Sequence, residues 1–204
     1  MFVVVTRSFP PDVGGMQSLM GGLSESLLDH GPVKVFTYEH LDSSIYDNKK
    51  SISIERVKGI KIFRKFRKAN LVNNFLNKNS NIRAIIADHW KSLELIKTTN
   101  KKYCLIHGKE INHPKGSFQN KKIVKVLNNV EKVIANSEYT KNLAINIGVD
   151  QTKIVVINPG VNPAKELNEK SLDKVESLLK IKTPRLITVS RFDKRKNHEK
   201  ILMA

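Results

Sequence analysis

The fold is decided by residues 2–38, FVVVTRSFPPDVGGMQSLMGGLSESLLDHGPVKVFTY. The segment starts with an apolar, β-branched run at 2–6 and ends with a second such run at 33–38, and each predicts a buried strand. Between them, leucines spaced four residues apart form one apolar stripe over 17–29, which predicts a helix. A strand, a helix and a second strand in this order indicate a β-α-β unit of a parallel sheet.

The same alternation continues through most of the chain. Further candidate strands lie at 60–63, 82–87, 103–107, 132–136 and 153–158. Further candidate helices lie at 69–79, 90–99, 120–130, 138–147 and 172–180. Several strands are continuous apolar runs, as expected where both faces of a parallel sheet are covered. The sequence therefore predicts an α/β fold with a doubly wound, parallel, Rossmann-like sheet.

The alternation of predicted strands and helices stops after the last strand of this series. Residues 159–184 are rich in proline and charge, and a new apolar run, RLITVS, begins at 185. We therefore predict a Rossmann-like domain over 1–165, a linker over 166–184, and the first strand and helix start of a second domain over 185–204.

The composition is that of a globular protein with an unusually positive charge. Of 204 residues, 36 are Lys or Arg and 19 are Asp or Glu, which gives a formal net charge of +17. Such a charge attracts nucleotides, nucleic acid and anionic lipid alike. A bias of the genome toward lysine and asparagine codons produces the same composition, so the charge alone selects no partner.

Two features bear on the compartment. Cys104 is the only cysteine, so an intramolecular disulfide is impossible and a reducing cytosol is the simplest location. The sequence opens on a strand without a basic leader, and no apolar run approaches the length of a membrane-spanning helix. We expect a cytoplasmic protein whose contact with a membrane would be peripheral, on its inner face.

The loop after the first strand carries a glycine pair. Gly14 and Gly15 come just before the first predicted helix, where free N–H groups and the helix dipole can receive an anion. The pair can equally serve only to shape the turn. A G-x-G-x-x-G pattern does not occur in this loop, which argues against a nicotinamide or flavin enzyme.

Histidines follow two other predicted strands. His107 ends the run YCLIH, with Glu110 in the same loop, and His89 follows Asp88 after the run IRAIIA. In a parallel sheet these positions lie at the ligand-binding edge. His107 can hydrogen-bond a sugar hydroxyl or a phosphate, or it can cap its own loop. The scattered histidines and one cysteine form no metal-ligand pattern, so no metal is expected.

Two basic segments are candidate anion sites. Arg191 and Lys196 lie in VSRFDKRKNHEK, where they can hold a diphosphate or form a solvated turn. Residues 56–68, RVKGIKIFRKFRK, hold seven basic residues and no acidic one. They fit either a peripheral contact with an anionic membrane or an edge strand followed by a helix.

Ordered motifs across nearly the whole chain resemble retaining glycosyltransferases of the GT-B fold, in the group 1 or family 4 class. These motifs run from FPPDVGGMQ through HGKE, VIANSEYTKNLAINIGV and KIVVINPGVN to ITVSRFDKRKNHEKILMA. The motif INPGVN departs from the commoner NGVD ending, and the paired-glutamate motif of the second domain does not occur.

The resemblance implies roles for five residues. Arg191 and Lys196 would hold the diphosphate of a nucleotide-sugar donor, Gly14 and Gly15 would approach it from the other domain, and His107 would contact the donor sugar. A donor phosphate oxygen would help to deprotonate the acceptor hydroxyl, so neither a protein nucleophile nor a metal or cofactor is expected.

Two functions are therefore weighed. The first is the acceptor-side half of a glycosyltransferase that transfers sugar to a saccharide or lipid-linked acceptor, with the 204-residue chain inactive alone. The second is a non-enzymatic basic α/β module that binds nucleic acid or membrane phosphates by charge. The sequence has no helix-turn-helix, zinc-ligand or aromatic stacking motif, so specific nucleic-acid binding is not expected.

Overall fold

The computed structural model of the chain describes residues 1–160, 169–179, 186–190 and 192–203. It contains two compact units, Met1–Gly160 and Val161–Ala204. Within the predicted linker over 166–184, residues 169–179 are helical. The proposed boundaries of domain and linker stay a prediction.

The first unit is built on one sheet of seven strands, all parallel, in the order β3-β2-β1-β4-β5-β6-β7. The strands are β1 (Phe2–Val5), β2 (Val33–Tyr38), β3 (Ser53–Val57), β4 (Ala84–Ala87), β5 (Lys102–Ile106), β6 (Lys132–Ala135) and β7 (Ile154–Val156). The predicted doubly wound Rossmann-like sheet is confirmed.

Helices connect these strands. In the first unit they are α1 (Gly15–Leu28), α2 (Ser43–Asp47), α3 (Lys61–Lys78), α4 (Trp90–Leu93), α5 (Phe118–Leu127) and α6 (Glu138–Asn146). In the second unit they are α7 (Glu169–Leu179) and α8 (His198–Met203). Among the described residues, no helix is both long enough and apolar enough to cross a bilayer.

Both faces of the sheet are packed. Along β1, Val3 and Val5 lie in one apolar cluster with residues of α3, α4, α5 and α6, whereas Phe2 and Val4 lie in a second cluster with Met20 of α1. Successive side chains of a strand point to opposite faces, so one strand contributes to both clusters. This is why the strands are apolar throughout.

The predicted strand at 60–63 is wrong. The strand of this region is β3, and residues from Lys61 onward form the single helix α3. Between 60 and 78 the sequence has no glycine or proline to end a helix. The buried residues of α3 recur at helical spacing, so packing on the sheet fixes a helix where local alternation indicated a strand.

The second unit differs from expectation at one element. A strand was predicted at 185–190, but residues 186–190 have no regular secondary structure. Leu186 and Val189 are largely exposed. A strand needs a neighbouring strand for its backbone hydrogen bonds, and the described sheet does not include this segment.

Candidate functional site

The candidate site lies at the carboxyl edge of the sheet in the first unit. From β1, the chain continues to β2 and β3 on one side and to β4 and β5 on the other, so the strand order reverses between β1 and β4. In open parallel sheets, ligands bind in the crevice at such a switch point. Thr6, Asp88 and His107 each directly follow a strand at this edge.

Asp88 joins the ends of β1 and β4. Its Oδ2 accepts hydrogen bonds from Thr6 Oγ1 and from the backbone N–H of Arg7, both at 2.9 Å. Its Oδ1 accepts from Ser92 Oγ at 3.0 Å. The carboxylate is only 3% exposed. Charge-assisted bonds of this kind hold the first residues of the β1–α1 loop in place.

Lys68 of α3 is a buried cation beside this network. It is 3% exposed, and its Nζ donates to the carbonyl of Thr6 at 2.6 Å. The same Nζ lies 4.2 Å from the ring centroid of Tyr38. Burial lowers the pKa of Lys68 to about 8, with Asp88 opposing the shift and Arg7 adding to it. At neutral pH the charged form prevails, with an aromatic face and a carboxylate nearby.

His89 is held neutral at the start of α4. Its Nδ1 accepts a hydrogen bond from the backbone N–H of Lys91 at 3.0 Å, so the neutral ring carries its proton on Nε2. Burial lowers the pKa of His89 to about 3, and the charges of Arg7, Lys91, His107 and Lys68 add to the shift. His89 therefore caps helix α4 in a positive environment. Because the ring is neutral at neutral pH, it cannot act as a general acid.

This depressed pKa predicts an acid-sensitive fold. Above the ordinary histidine pKa near 6.5, folded and unfolded chains both carry neutral His89; below it, only the unfolded chain gains the proton. The contribution of neutral His89 to the free energy of unfolding is lost as the pH falls from about 6.5 toward 3. Between about pH 7 and pH 5 we expect a loss of about 1 to 2 kcal/mol from this residue. Urea unfolding followed by fluorescence of the single tryptophan, Trp90, measures it.

His89→Asn is the matched control for that measurement, because asparagine also caps a helix and does not titrate. Below pH 7, the free energy of unfolding of the variant should fall less steeply with pH than that of the wild type. All other titrating groups are common to both proteins. Parallel curves for the two proteins would contradict the shift.

The glycine pair precedes α1 at the same edge. Gly14 is the N-cap residue with φ 162°, an extended conformation open to any residue, and it has no positive-φ requirement. A Cβ on Gly15 would meet nothing within 4 Å. The fold thus does not require glycine at 15, which favours an approach of a ligand to the backbone over a purely turn-shaping role.

His107 follows β5 and ends in an unpartnered atom. Its Nε2 is buried and has no hydrogen-bond partner among the described residues. Glu110 accepts from the backbone N–H of His107, and the Glu110 carbonyl accepts from Trp90 Nε1 at 3.1 Å. The loop is thus fixed by Glu110, and the His107 ring does not cap it. A buried polar atom without a partner is costly unless a ligand or water satisfies it.

Of the two cations predicted in the second unit, the structure describes only Lys196. Lys196 ends a 3-10 turn, Lys194–Lys196, before α8, and its side chain is exposed. Arg191 lies outside the described residues. The pairing of these residues with the glycine loop stays a prediction.

Metal and thiol chemistry find no support in the described part of the chain. There, no group of three His, Cys, Asp or Glu side chains converges as a metal-ligand set. Burial raises the pKa of the Cys104 thiol well above its ordinary value, which makes it a packing residue. Metal independence itself stays a prediction.

Sequence reasoning missed Lys68 as a member of this site. It was counted within the basic stretch 56–68, although it lies four residues before Val72 and eight before Leu76, on the face of α3 that is buried. That helical spacing could have identified Lys68 as a buried residue. No sequence feature could have identified Thr6, because its role depends on Asp88, which is 82 residues away in sequence.

A family model described as Glycosyltransferase Family 4 matches residues 13–165. The match covers the glycine pair, the whole of α1 and every later strand of the first unit. No curated protein sequence matches the chain at a significant level.

Solved structures share the fold at low sequence identity. HepE of Anabaena, solved in complex with UDP, aligns with a TM-score of 0.63 and 15% identity, over 88% of this chain and 50% of HepE. A glycosyltransferase from Rickettsia africae aligns with 0.62 and 18%, over 90% and 50%. Sucrose-phosphate synthase of Thermosynechococcus elongatus aligns with 0.66 and 16%, over 99% and 58%. The chain spans about half the length of these structures.

Proposed function

Because the chain belongs to Glycosyltransferase Family 4, we propose that it forms the acceptor-side half of an enzyme that transfers a sugar from a nucleotide-sugar donor. Its seven-stranded sheet is the Rossmann-like fold of GT-B N-terminal domains. The proposed acceptor is a saccharide or a lipid-linked sugar, and the proposed outcome is retention of configuration. HepE, which shares the fold, has been solved with UDP-glucose, which supports a nucleotide-sugar donor.

The observation that carries this proposal is the unpartnered Nε2 of His107 at the switch-point edge. A donor-sugar hydroxyl would satisfy this atom, while the backbone N–H of His107 is held by Glu110. Specific recognition of a hydroxyl by a buried polar group gives strong discrimination, because an analogue without the hydroxyl leaves the group unpaired.

The donor diphosphate is proposed to lie at the N-terminus of α1. Free N–H groups and the positive end of the helix dipole favour an anion there, and the open space at Gly15 admits it. By the family resemblance, Arg191 and Lys196 are proposed as the cations that bind the leaving diphosphate, so that no metal ion is needed.

A retaining transfer with the donor phosphate as base requires no protein nucleophile. Asp88 and Glu110, the carboxylates that follow β4 and β5, are both already hydrogen bonded within the protein. Asp88, buried and with both carboxylate oxygens hydrogen bonded, is not placed to attack the sugar, and we assign Glu110 the positioning of the His107 loop. This supports a mechanism in which the chain positions the reactants and stabilises the leaving group.

The test uses the product of the complete reading frame that contains residues 1–204, assayed against a panel of nucleotide sugars. We expect one donor to be turned over, with the product anomer, determined by NMR, matching the donor. Gly15→Ala should lower kcat/KM by about 10- to 100-fold, because the added methyl group occupies the diphosphate approach. The 204-residue chain alone is expected to be inactive.

Gly22→Ala is the matched control for that substitution. Gly22 lies in the same helix, and a Cβ there likewise meets nothing within 4 Å. Gly22→Ala gains the stabilisation of an interior helical alanine, about 0.5 to 1 kcal/mol, and neither substitution clashes, but only Gly15→Ala should lose activity. Equal activities of the two variants would contradict diphosphate binding at this loop. A product with the inverted anomeric configuration would contradict the retaining mechanism.

A further inference from the structure

The first two turns of α3 expose three large apolar side chains. Ile62, Phe63 and Phe66 are 74%, 54% and 55% exposed. Arg67 lies one turn after Phe63 on the helix surface, and Lys61 is the exposed first residue of the helix. We call residues 60–67 the α3 surface.

The apolar residues form one face, and that face changes character along the helix. At about 100° per residue, Ile62, Phe63 and Phe66 fall within about 100° of one another, on a side of the helix that borders the buried face carrying Val72. Further along the helix, this side carries asparagines that are all exposed: Asn70, Asn74 and Asn77. The most exposed apolar side chains of α3 therefore lie in its first two turns, and further along the helix the only exposed apolar side chain is that of Leu71, at 37%.

The structure divides the basic stretch 56–68 into two groups. Four of its cations already have partners: Arg56 with Asp47, Lys58 with Glu39, Lys65 with Glu94, and Lys68 with the Thr6 carbonyl.

The other three are Lys61, Arg64 and Arg67. None of them forms an ion pair with a described carboxylate. Arg64 lies over the ring of Tyr38, 5.2 Å from its centroid, and Arg67 donates to the Lys58 carbonyl at 3.0 Å. These contacts orient the guanidinium groups and leave their charges uncompensated.

The α3 surface lies at the carboxyl edge of the sheet. Helix α3 connects the carboxyl end of β3 to the start of β4, and Lys68 reaches the carbonyl of Thr6 just past the end of β1. Residues 60–67 precede Lys68, so they lie at or beyond that edge.

We propose that the α3 surface binds an anionic lipid bilayer. Ile62, Phe63 and Phe66 would enter the headgroup region while Lys61, Arg64 and Arg67 contact lipid phosphates. An exposed apolar face next to cations that form no ion pair with a described carboxylate fits the bilayer interface, where lipid phosphates lie above hydrocarbon. A nucleic-acid backbone would use the cations but would offer Ile62 nothing to bury against. The proposal is independent of the transferase activity.

The test is flotation of the chain with vesicles of phosphatidylcholine alone or mixed with phosphatidylglycerol. We expect binding only to the mixed vesicles, weakened by salt. Lys61→Gln with Arg67→Gln should lower the partition coefficient about 25-fold, since each cation near the surface contributes about fivefold. Phe63→Asn with Phe66→Asn, which extends the asparagine face, should lower it by about tenfold or more.

Matched controls come from α5. Lys121→Gln with Lys125→Gln removes the same charge from exposed lysines elsewhere, and Phe118→Asn removes an exposed aromatic ring. Both controls should bind like the wild type, and circular dichroism should show all variants folded. Equal loss in every charge variant would mean nonspecific attraction by the net charge and would overturn the proposal.

Two further outcomes would assign the α3 surface elsewhere. If vesicle binding is absent and a DNA duplex is bound in a way that Lys61→Gln with Arg67→Gln weakens, the surface is a nucleic-acid site. If vesicle binding is absent and Phe63→Asn with Phe66→Asn instead converts a dimer to a monomer in sedimentation, it joins two copies of the chain. Either result would overturn the lipid assignment.

Discussion

Replacement of His107 by alanine is expected to lower kcat/KM for sugar transfer by about 100- to 1000-fold. The imidazole follows β5 at the switch-point edge, and its buried Nε2 has no partner among the described residues. A hydrogen bond to the donor sugar in the transition state, made in a site that excludes water, has a magnitude of this order. Initial rates with the product of the complete reading frame measure the loss.

The fold should tolerate the same substitution. Because no described hydrogen bond uses the His107 ring, alanine leaves no new buried group without a partner, and the urea midpoint should change little. His113→Ala, in the same loop, is the matched control and should keep wild-type activity. An active His107→Ala enzyme would refute the assignment of this residue to donor binding.

Replacement of Asp88 by alanine is expected to lower the free energy of unfolding by about 3 to 5 kcal/mol. The substitution removes the acceptor of three hydrogen bonds, from Thr6, Arg7 and Ser92. It also leaves the buried cation of Lys68 without its nearby carboxylate, whose charge opposes the lowering of the Lys68 pKa. Urea unfolding followed by Trp90 fluorescence gives the change.

A double-mutant cycle separates the two causes. In a Lys68→Met background no buried cation remains, so the cost of Asp88→Ala should fall by about 1 to 2 kcal/mol. Asp88→Asn keeps the shape and part of the hydrogen bonding, and its cost should be intermediate. Additive costs in the cycle would show that Asp88 acts only through its hydrogen bonds. Asp29→Ala, at an exposed position, should leave the midpoint unchanged.

The sheet could be predicted because its strands are buried on both faces. Six of the seven strands, all except β3, lie where continuous β-branched runs had been expected, within a few residues at each end. Parallel pairing then follows from the helices between them, and the switch point brings His107 and the glycine pair to one edge.

The region 53–78 could not be predicted correctly from local pattern. Ile60 and Ile62 alternate with Lys61 as in a strand, while the later residues repeat with helical spacing, and the two signals overlap. Packing of Val72 and its neighbours on the sheet stabilises one continuous helix. The edge strand forms instead at 53–57, a run that had not been predicted as a strand. Burial at distant positions outweighs a short local alternation.

The sequence by itself determined the fold class and the chain positions that meet at the ligand edge, because apolar periodicity and strand order are encoded locally. Only the tertiary structure decided which charges belong to the fold and which are available to ligands. Lys68 is buried beside Asp88, whereas Lys61 and Arg67 form no ion pair with a described carboxylate. All lie in one basic run, yet Lys68 lies on the buried face of α3 and the preceding Arg67 is exposed, a difference that only the packed helix sets.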